Sequence, residues 1–325
     1  MSKTIVLGLD LGGTKIAAGV VDSSGKLLSS VRAPTPASGA HKDVAALFDA
    51  AHSAVAAAGV SWRAVRAVGV GVPGAFDPES ETVWAPNLPG WKKVPLKRLL
   101  EKALARPVFV EGDRNVQALA EQWLGGAGGR RRASNLVFLA IGTGIGAGLI
   151  SDGRLMTGAR GVSGAAGWLA VSARWRPEFA RLGCLEALGA GPAVARFARK
   201  ALRKKPHGLL AKFSRGRGNA VSAEAVVTAA RRGDPTARRV LEEVGANLGR
   251  GVASIVSLLN PEVVVVGGGL AQAGDLILRP LRRAARQWGQ PLASRQVRIV
   301  RSRLGVSAGV LGAARYCLMK LEERT

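Results

Sequence analysis

Residues 10–15, near the start of the sequence, have the groups needed to bind a polyphosphate and a divalent cation. Gly12 and Gly13 lack side chains, so their backbone N–H groups can approach phosphate oxygens closely. Thr14 adds a hydroxyl donor and Lys15 a positive charge. The carboxylate of Asp10 is a ligand type that hydrated Mg²⁺ accepts. The segment predicts a phosphate-binding turn, although an ordinary hairpin turn would contain the same two glycines.

Glycine loops of the same kind follow two later apolar runs. Residues 137–141 lead into 142–148, and residues 263–266 lead into 267–269. One glycine loop is a weak signal, but three that each follow a strand-like run indicate a repeated phosphate- or nucleotide-binding feature. The candidate residues of the second and third loops are Gly142, Thr143, Gly144, Gly146, Gly267, Gly268 and Gly269.

Asp113 is the candidate general base. It comes directly after the apolar run 108–111 and before a helix-like stretch that begins near 116. A carboxylate in that place can accept the proton of a hydroxyl as its oxygen attacks a phosphoryl group. The same position also suits an aspartate that only caps the helix N-terminus. Both interpretations follow from the residues alone.

These residues must be positioned by strands and helices. Apolar runs on both sides of the first loop predict a β-hairpin, and strands near 4–10, 16–22 and 26–32 predict a meander. Two more strands are expected at 67–72 and 108–111. Apolar periodicity predicts helices at 44–58, 94–105, 116–123, 192–202, 223–230, 235–259 and 308–323, and another after Leu270.

The three loops and Asp113 together resemble the actin/hexokinase-type ATPase superfamily, and within it the ROK family of sugar kinases and repressors. The resemblance covers nearly the whole chain. It implies an α/β, two-domain actin-like ATPase (ribonuclease H-like) fold with a cleft between the domains. It assigns 10–15 and 142–146 as phosphate loops, 267–269 as an adenosine loop and Asp113 as the catalytic base. The implied cofactors are ATP and Mg²⁺, with Mg²⁺ near Asp10.

Composition gives the domain limits, and the resemblance implies that the last helix returns to the first domain. The N-terminal α/β domain is expected at 1–125, with a C-terminal helix at about 306–325 packing back on it. The second α/β domain is expected at 126–305 and contains the second phosphate loop and the adenosine loop. A run of glycine and arginine at 125–132 is expected to hold the boundary.

The acceptor side departs from the family pattern. Asn87 and Glu186, with Asp113, match sugar-binding positions. Gly112 stands where the family has an asparagine. In the segment 164–168, Ala165 replaces a glutamate and Trp168 replaces a histidine, and Trp168 either stacks on a ligand or fills a cavity. Each lost hydrogen bond to a buried hydroxyl costs about 0.5–1.5 kcal/mol of affinity, so we expect an altered acceptor site.

The zinc site of many family members is also incomplete. Their histidine and three cysteines bind the metal, but this sequence has only Cys184 in the matching stretch, 172–184. One thiolate cannot form a tetrahedral structural zinc site. We therefore predict no structural zinc.

Composition favours an intracellular enzyme. The chain has 325 residues, 47% of them hydrophobic, and 43 glycines, which suits two domains of ordinary size. It has no apolar run of about 18 residues, so no membrane span is expected. The first strand begins by residue 4 or 5, which predicts neither a signal peptide nor the N-terminal DNA-binding helices of ROK repressors. Its two cysteines form no disulfide framework. The expected location is cytoplasmic.

The chain is strongly basic, with a formal net charge of +25. Lysine and arginine cluster without any acid at 196–217 and at 279–303. Such a field attracts polyanions such as polyphosphate or nucleic acid. A solvated surface in an arginine-rich proteome would have the same composition, and no nucleic-acid-binding motif is visible.

The resulting expectation is an ATP-dependent kinase that phosphorylates a sugar hydroxyl, a glucokinase-like hexose kinase with an altered acceptor site. Two alternatives stay open at this point. One is a weak or inactive ROK pseudokinase that acts as a nucleotide- or sugar-responsive binding protein, and the other is a polyphosphate-using kinase. A homodimer is also expected.

Overall fold

The computed structural model describes residues 3–127, 132–215 and 221–324, with the side chains of 214 and 215 left out. Its strands are β1 (Ile5–Leu11), β2 (Lys15–Asp22), β3 (Val31–Pro34), β4 (Val65–Val72), β5 (Ala75–Asp77), β6 (Thr82–Trp84), β7 (Val108–Gly112), β8 (Leu136–Ile141), β9 (Ile145–Ser151), β10 (Arg154–Leu155), β11 (Val263–Gly267) and β12 (Arg298–Arg301).

Each helix that periodicity predicted is present, and the described residues contain four further short helices, at 179–182, 184–189, 209–215 and 291–296. In chain order the helices are α1 (Ala40–Ala57), α2 (Leu96–Leu104), α3 (Asp113–Trp123), α4 (Phe179–Leu182), α5 (Cys184–Gly189), α6 (Gly191–Lys204), α7 (Leu209–Arg215), α8 (Ala223–Arg231), α9 (Pro235–Leu259), α10 (Asp275–Trp288), α11 (Pro291–Gln296) and α12 (Ala308–Glu322). The stretch after Leu270 begins as a 3-10 turn, and α10 follows it.

The first sheet has the strand order β3-β2-β1-β4-β7. β1 and β2 form the predicted antiparallel hairpin, and β2 pairs with β3. The third strand of the meander begins at Val31 and not near residue 26. Ser29 explains the difference, because its hydroxyl accepts the N–H of Val20 and donates to the carbonyl of Ala54. This side chain replaces a backbone pair that a continuous strand would make.

The parallel strands β1, β4 and β7 place the candidate acids at one edge of the sheet. Asp10 is in register with Gly71, and Gly71 is in register with Glu111. The carboxyl ends of these strands therefore lie side by side, where open α/β sheets bind ligands. Asp113 follows at the start of α3.

Helices cover both faces of this sheet. α1 and α2 pack on one face around Leu47, Leu96 and Leu100. The other face is covered by α12, together with Trp123 of α3. Gly8 and Gly69 are paired neighbours in the sheet. A Cβ at Gly8 would lie 2.2 Å from the Val310 carbonyl oxygen, and one at Gly69 would lie 1.9 Å from that of Ala313. The two glycines therefore allow α12 to approach the sheet closely.

The second sheet has the order β10-β9-β8-β11-β12. β11 runs parallel to β8 and β12. Because Gly267 is in register with Ala140, the loops after β8 and β11 leave the same edge of the sheet. The sheet therefore brings the second and third glycine loops together.

The chain groups into two compact units. The first contains Met1–Ser134, Gly148–Ser163 and Arg303–Thr325, and the second contains Asn135–Ala147 and Gly164–Ser302. The expected domain limits differ from these groups chiefly by placing residues 148–163 in the second domain, and they stay a prediction. The boundary expected at 125–132 falls partly outside the described residues. None of the described helices is long and apolar enough to span a membrane.

Candidate active site

Asp10 lies at the end of β1 and has an unusual ionisation. Loss of hydration, and then the nearby negative charge of Asp113, raise the pKa of the Asp10 carboxyl to about 7. The negative charge of Asp113 raises the pKa of Asp10, and a divalent cation would offset the repulsion between two such carboxylates. The pair fits Mg²⁺ chemistry on this ground.

Glycines make the space that the Asp10 side chain occupies. A Cβ at Gly309 in α12 would lie 2.1 Å from Asp10 Oδ2. A Cβ at Gly71 in β4 would lie 3.4 Å from Asp10 Oδ1. The carboxylate is therefore confined by α12 on one side and by β4 on the other.

Asp113 is the first residue of α3, and Gly112 is the N-cap. Asp113 therefore meets the helix N-terminus from the first helical position and not from the N-cap position. Asp113 Oδ1 accepts the N–H of Arg114 at 2.7 Å and lies 3.4 Å from Arg114 Nε. Burial raises the pKa of Asp113, and Arg114 partly opposes that rise. An oriented carboxylate with a raised pKa suits a general base.

The first glycine loop is braced from behind. Gly12 donates its N–H to the Lys15 carbonyl. Thr35 donates its hydroxyl to the Gly12 carbonyl and its backbone N–H to the Thr14 carbonyl. Within the described residues, the N–H groups of Gly13 and Thr14 have no acceptor, and both residues are exposed. The loop therefore offers free donors on a fixed backbone, which suits phosphate oxygens.

The second glycine loop has the same organisation. The Gly142 N–H donates to the Gly144 carbonyl, and the Gly142 carbonyl accepts the N–H of Gly191 at the start of α6. Thr143 and Gly144 are exposed. In the described part of the chain, neither of their N–H groups has an acceptor. This loop can also hold phosphate.

Glu186 contacts the second loop. Its Oε2 accepts the N–H of Ile145 at 2.7 Å. A Cβ at Gly144 would lie 2.8 Å from this oxygen, and one at Gly167 would lie 3.1 Å from it. The resemblance assigns Glu186 to sugar binding. In the structure its carboxylate also holds the backbone at the end of the second glycine loop.

A cavity of about 620 Å³ lies beside the second and third loops. Its size falls in the range of small-ligand sites. Three of the candidate loop residues, Gly142, Thr143 and Gly269, line it, and no atom lies within 4 Å of where a Cβ of Gly269 would be. Sequence reasoning missed the helical part of the lining, which carries no motif: Pro192, Ala195, Ala223, Glu224, Val227, Thr228 and Arg231.

Gly267 and Gly268 of the third loop have packing roles. A Cβ at Gly267 would lie 2.5 Å from the ring of Phe138, and Gly268 has φ +84° and lies against the backbone of Ile141. Gly146 is buried within β9. Among the predicted glycines, these three shape the sheet edge, while Gly142 and Gly269 face the cavity.

Asn87 is exposed in a short loop that a buried pair anchors. Trp91 Nε1 donates to Asp43 Oδ2 at 2.8 Å, and both side chains are buried. The Ala85 N–H also donates to the Trp91 carbonyl. The loop is thus held rigid while the Asn87 amide stays available to a ligand.

The altered acceptor positions are solvent-accessible or tightly packed. Trp168 is 57% exposed, so it does not fill a cavity, and Ala165 is exposed as well. A Cβ at Gly112 would lie 3.2 Å from the carbonyl oxygen of Gly74, a tight contact for any larger residue. Cys184 is buried, and its Sγ accepts the N–H of Val171 at 3.4 Å. Predicted residues 10–15, Asn87 and Asp113 belong to the first unit, and Glu186 with the later glycine loops to the second.

The first α/β unit has a braced glycine loop and the carboxylates of Asp10 and Asp113, and the second has a braced glycine loop and a cavity of nucleotide size. These features fit an actin-like ATPase fold with phosphotransferase activity. The chain belongs to the ROK family, whose model matches residues 6–320. This confirms the resemblance and the fold class drawn from the glycine loops.

Two glucokinases and a hexokinase align with nearly the whole chain. It is 34% identical to a glucokinase of Thermotoga maritima, over 97% of both chains. A ROK hexokinase structure from Thermus thermophilus is 38% identical, with a TM-score of 0.80 over 98% of this chain and 99% of that one. A ROK glucokinase of Streptomyces griseus, in complex with glucose and AMPPNP, is 33% identical, with a TM-score of 0.79 over 96% and 98%.

Proposed function

We propose that the protein transfers the γ-phosphoryl group of ATP to a hydroxyl group of a hexose, with glucose as the first acceptor to test. That it is a sugar kinase is supported by family membership and by glucokinase and hexokinase relatives that span the whole chain. The observation that carries the mechanism is the oriented Asp113 carboxylate, held beside Asp10 at the sheet edge.

The donor would be bound by the two glycine loops and the cavity between α6 and α8. Free N–H groups of Gly13, Thr14, Thr143 and Gly144 would bind phosphate oxygens, with Lys15 adding charge. The cavity beside Gly269 would take the adenosine. Asp10 would hold Mg²⁺, through its waters, and the ion would neutralise charge on the phosphates.

Asp113 would act as the general base. The hydroxyl proton of the sugar passes to the Asp113 carboxylate as the oxygen attacks the γ-phosphorus, and ADP leaves. Arg114 holds the carboxylate through its N–H and Nε, so the base is oriented before the sugar arrives. The raised pKa brings the group closer to the working pH, which makes proton transfer more effective.

The acceptor site would use Asn87 and Glu186 beside Asp113. Gly112, Ala165 and Trp168 supply none of the polar groups that the family pattern has there. Three hydrogen bonds at about 0.5–1.5 kcal/mol each correspond to roughly a 10- to 2,000-fold weaker hexose complex. We accordingly propose a sugar KM well above that of a glucokinase with the complete pattern. A chain without structural zinc, a homodimer and a cytoplasmic location complete the proposal.

The test is a coupled phosphorylation assay over a panel of hexoses and amino sugars, with ATP and polyphosphate as donors. Asp113→Asn should lower kcat about 10²- to 10⁴-fold while ATP still binds. The matched control is Asp49→Asn, at an exposed aspartate of α1, which should leave kcat unchanged. Full kcat in Asp113→Asn would exclude this base. ATP binding without turnover of any sugar would favour a binding protein instead.

A further inference from the structure

The second unit contains a groove that the proposed kinase chemistry does not use. It has a volume of about 1040 Å³, and its floor is one face of α9, from Thr236 to Ser257. At 1.5 Å per residue this face is about 31 Å long. Its lining shares no residue with the nucleotide cavity. We call it the α9 groove.

The charge of the α9 groove is almost entirely positive. One carboxylate, Glu243, lines it. The cationic side chains around it are Arg176, Lys200, Lys204, Lys205, Arg239 and Arg250. Among the described residues, Lys200, Lys204, Lys205 and Arg239 make no ion pair. Their charges are therefore available to an anionic ligand.

An exposed aromatic ring lies in the lining of the same groove. Trp288, at the end of α10, is 62% exposed. The Arg250 guanidinium lies 5.6 Å from the centre of its ring and donates to Asn247 Oδ1 at 2.8 Å. Asn247 is itself buried and donates to the Leu188 carbonyl. The buried Asn247 thus orients the Arg250 guanidinium, which lies against the Trp288 ring.

We propose that the α9 groove binds single-stranded nucleic acid, with phosphates along the cations and an unpaired base stacked on Trp288. A positive groove that follows the backbone, combined with an aromatic platform, is the usual design of such sites. Arg239 and Arg250 are separated by about 16 Å along α9, a length that suits a chain better than one nucleotide. A duplex would keep its bases stacked internally and out of reach of Trp288.

Charge also argues against a second copy of the chain as the occupant. In a two-fold dimer the same patch faces itself, which would bring the cations of one groove against those of the other. Like charges placed opposite one another across an interface weaken binding strongly. A second copy would add to the repulsion among the cations of the groove, whereas a bound polyanion would reduce it.

The test measures binding of a fluorescein-labelled twelve-residue oligo-dT to the full chain by anisotropy across a KCl series. The combined change Lys200→Glu, Lys204→Glu and Arg239→Glu should weaken binding on the order of 100-fold. It should also reduce the slope of log affinity against log salt by about 2. Trp288→Ala should weaken binding roughly tenfold. The control reverses three exposed cations of the first unit, Arg63, Arg66 and Lys102, and should bind as the unchanged protein does.

Several outcomes would overturn the proposal. Equal weakening by the control would mean that net charge alone attracts the oligonucleotide. The same assay is run with a twelve-base-pair DNA duplex and with polyphosphate as competitors. Unchanged affinity in Trp288→Ala, or competition by either polyanion as strong as by unlabelled oligo-dT, would exclude base stacking. Competition by saturating ATP would place the oligonucleotide in the nucleotide cavity. Melting curves and sugar kinase turnover of each variant report folding; if the triple variant unfolds, Lys204→Gln with Arg239→Gln replaces it and should still weaken binding measurably.

Discussion

Asp10 Oδ2 occupies space that only a glycine at position 309 leaves free. A Cβ on Gly309 would lie 2.1 Å from this oxygen, well inside van der Waals contact. The two residues stand near opposite ends of the chain, and α12 brings them together on the first sheet. The proposed Mg²⁺ ligand is therefore positioned by the C-terminal helix as much as by its own strand.

Gly309→Ala should displace the Asp10 carboxylate. Overpacking of this kind costs about 1–3 kcal/mol of stability, and we expect kcat to fall at least about tenfold because a misplaced carboxylate no longer orients the phosphates. Ser307→Ala is the matched control, since that side chain makes no hydrogen bond among the described residues. Thermal melting and steady-state kinetics measure both effects. Normal kcat in Gly309→Ala would show that Asp10 tolerates the shift.

Removal of Mg²⁺ should abolish turnover and lower the melting temperature, because the ion offsets repulsion between Asp10 and Asp113. In the metal-free protein, Asp10→Asn should be the more stable form at pH 8. The pKa of Asp10 is raised to about 7, so its ionisation destabilises the fold as pH rises from about 4 to above 7. The advantage of asparagine should therefore vanish towards pH 4. Melting curves with chelator test this, and a metal-free Asp10→Asn that is less stable at pH 8 contradicts it.

Glu186 should act on both substrates, and two variants separate its effects. Glutamine can still accept the N–H of Ile145, so Glu186→Gln should keep the ATP KM and raise the sugar KM. Glu186→Ala loses this bond, and a hydrogen bond to a charged group is worth about 1.5–3 kcal/mol. Its ATP KM should rise roughly 10- to 100-fold. Identical ATP KM values for the two variants would remove Glu186 from the support of the phosphate loop.

The cavity beside Gly269 can be tested by filling it. Ala195 of α6 lines this cavity. Ala195→Trp should raise the ATP KM at least about tenfold because the indole takes the volume proposed for adenosine. The sugar KM should stay unchanged. Ala103→Trp, on an exposed position of α2, controls for a new tryptophan. If Ala195→Trp binds ATP normally, adenosine binds elsewhere.

Asp22, at the end of β2, should make the stability of the fold sensitive to acid. Burial alone would raise its pKa, but hydrogen bonds from Lys3, Ser24 and Lys26 outweigh burial and hold the pKa well below its usual range. Such a carboxylate stabilises the fold above about pH 4 and loses that effect as pH falls further. Asp22→Asn should cost on the order of 1 kcal/mol at pH 7, and the difference should shrink below pH 4. A constant difference in urea melts across this range would be the contrary result.

The sequence was sufficient for the parts of the site that depend on local chain geometry. The first hairpin follows from apolar runs around Gly12 and Gly13, and the strand-to-glycine pattern located the loops at 142 and 267. The helices followed from their periodicity. These features need only short-range sterics and the burial of one face.

Other parts depend on tertiary contacts that no local pattern encodes. In the sequence, Gly309 is only a small residue in an apolar helix. That it leaves room for the Asp10 carboxylate becomes visible only when α12 is packed on the sheet. Ser29 ends a strand by bonding to the Ala54 carbonyl in α1. The exposure of Trp168 depends on a loop without periodic sequence. Gly309 and Ser29 each act on a partner that lies on a different structural element.

The close packing of α12 on Gly8 and Gly69 has a consequence for protein synthesis. The strands of the first sheet are complete once β7 and α3 have left the ribosome, but the helix that covers one face follows about 185 residues later in the chain. At about 5–20 residues per second this delay is roughly 10–40 s. Throughout that time the growing chain carries an uncovered apolar sheet, which is a natural target for ribosome-associated chaperones.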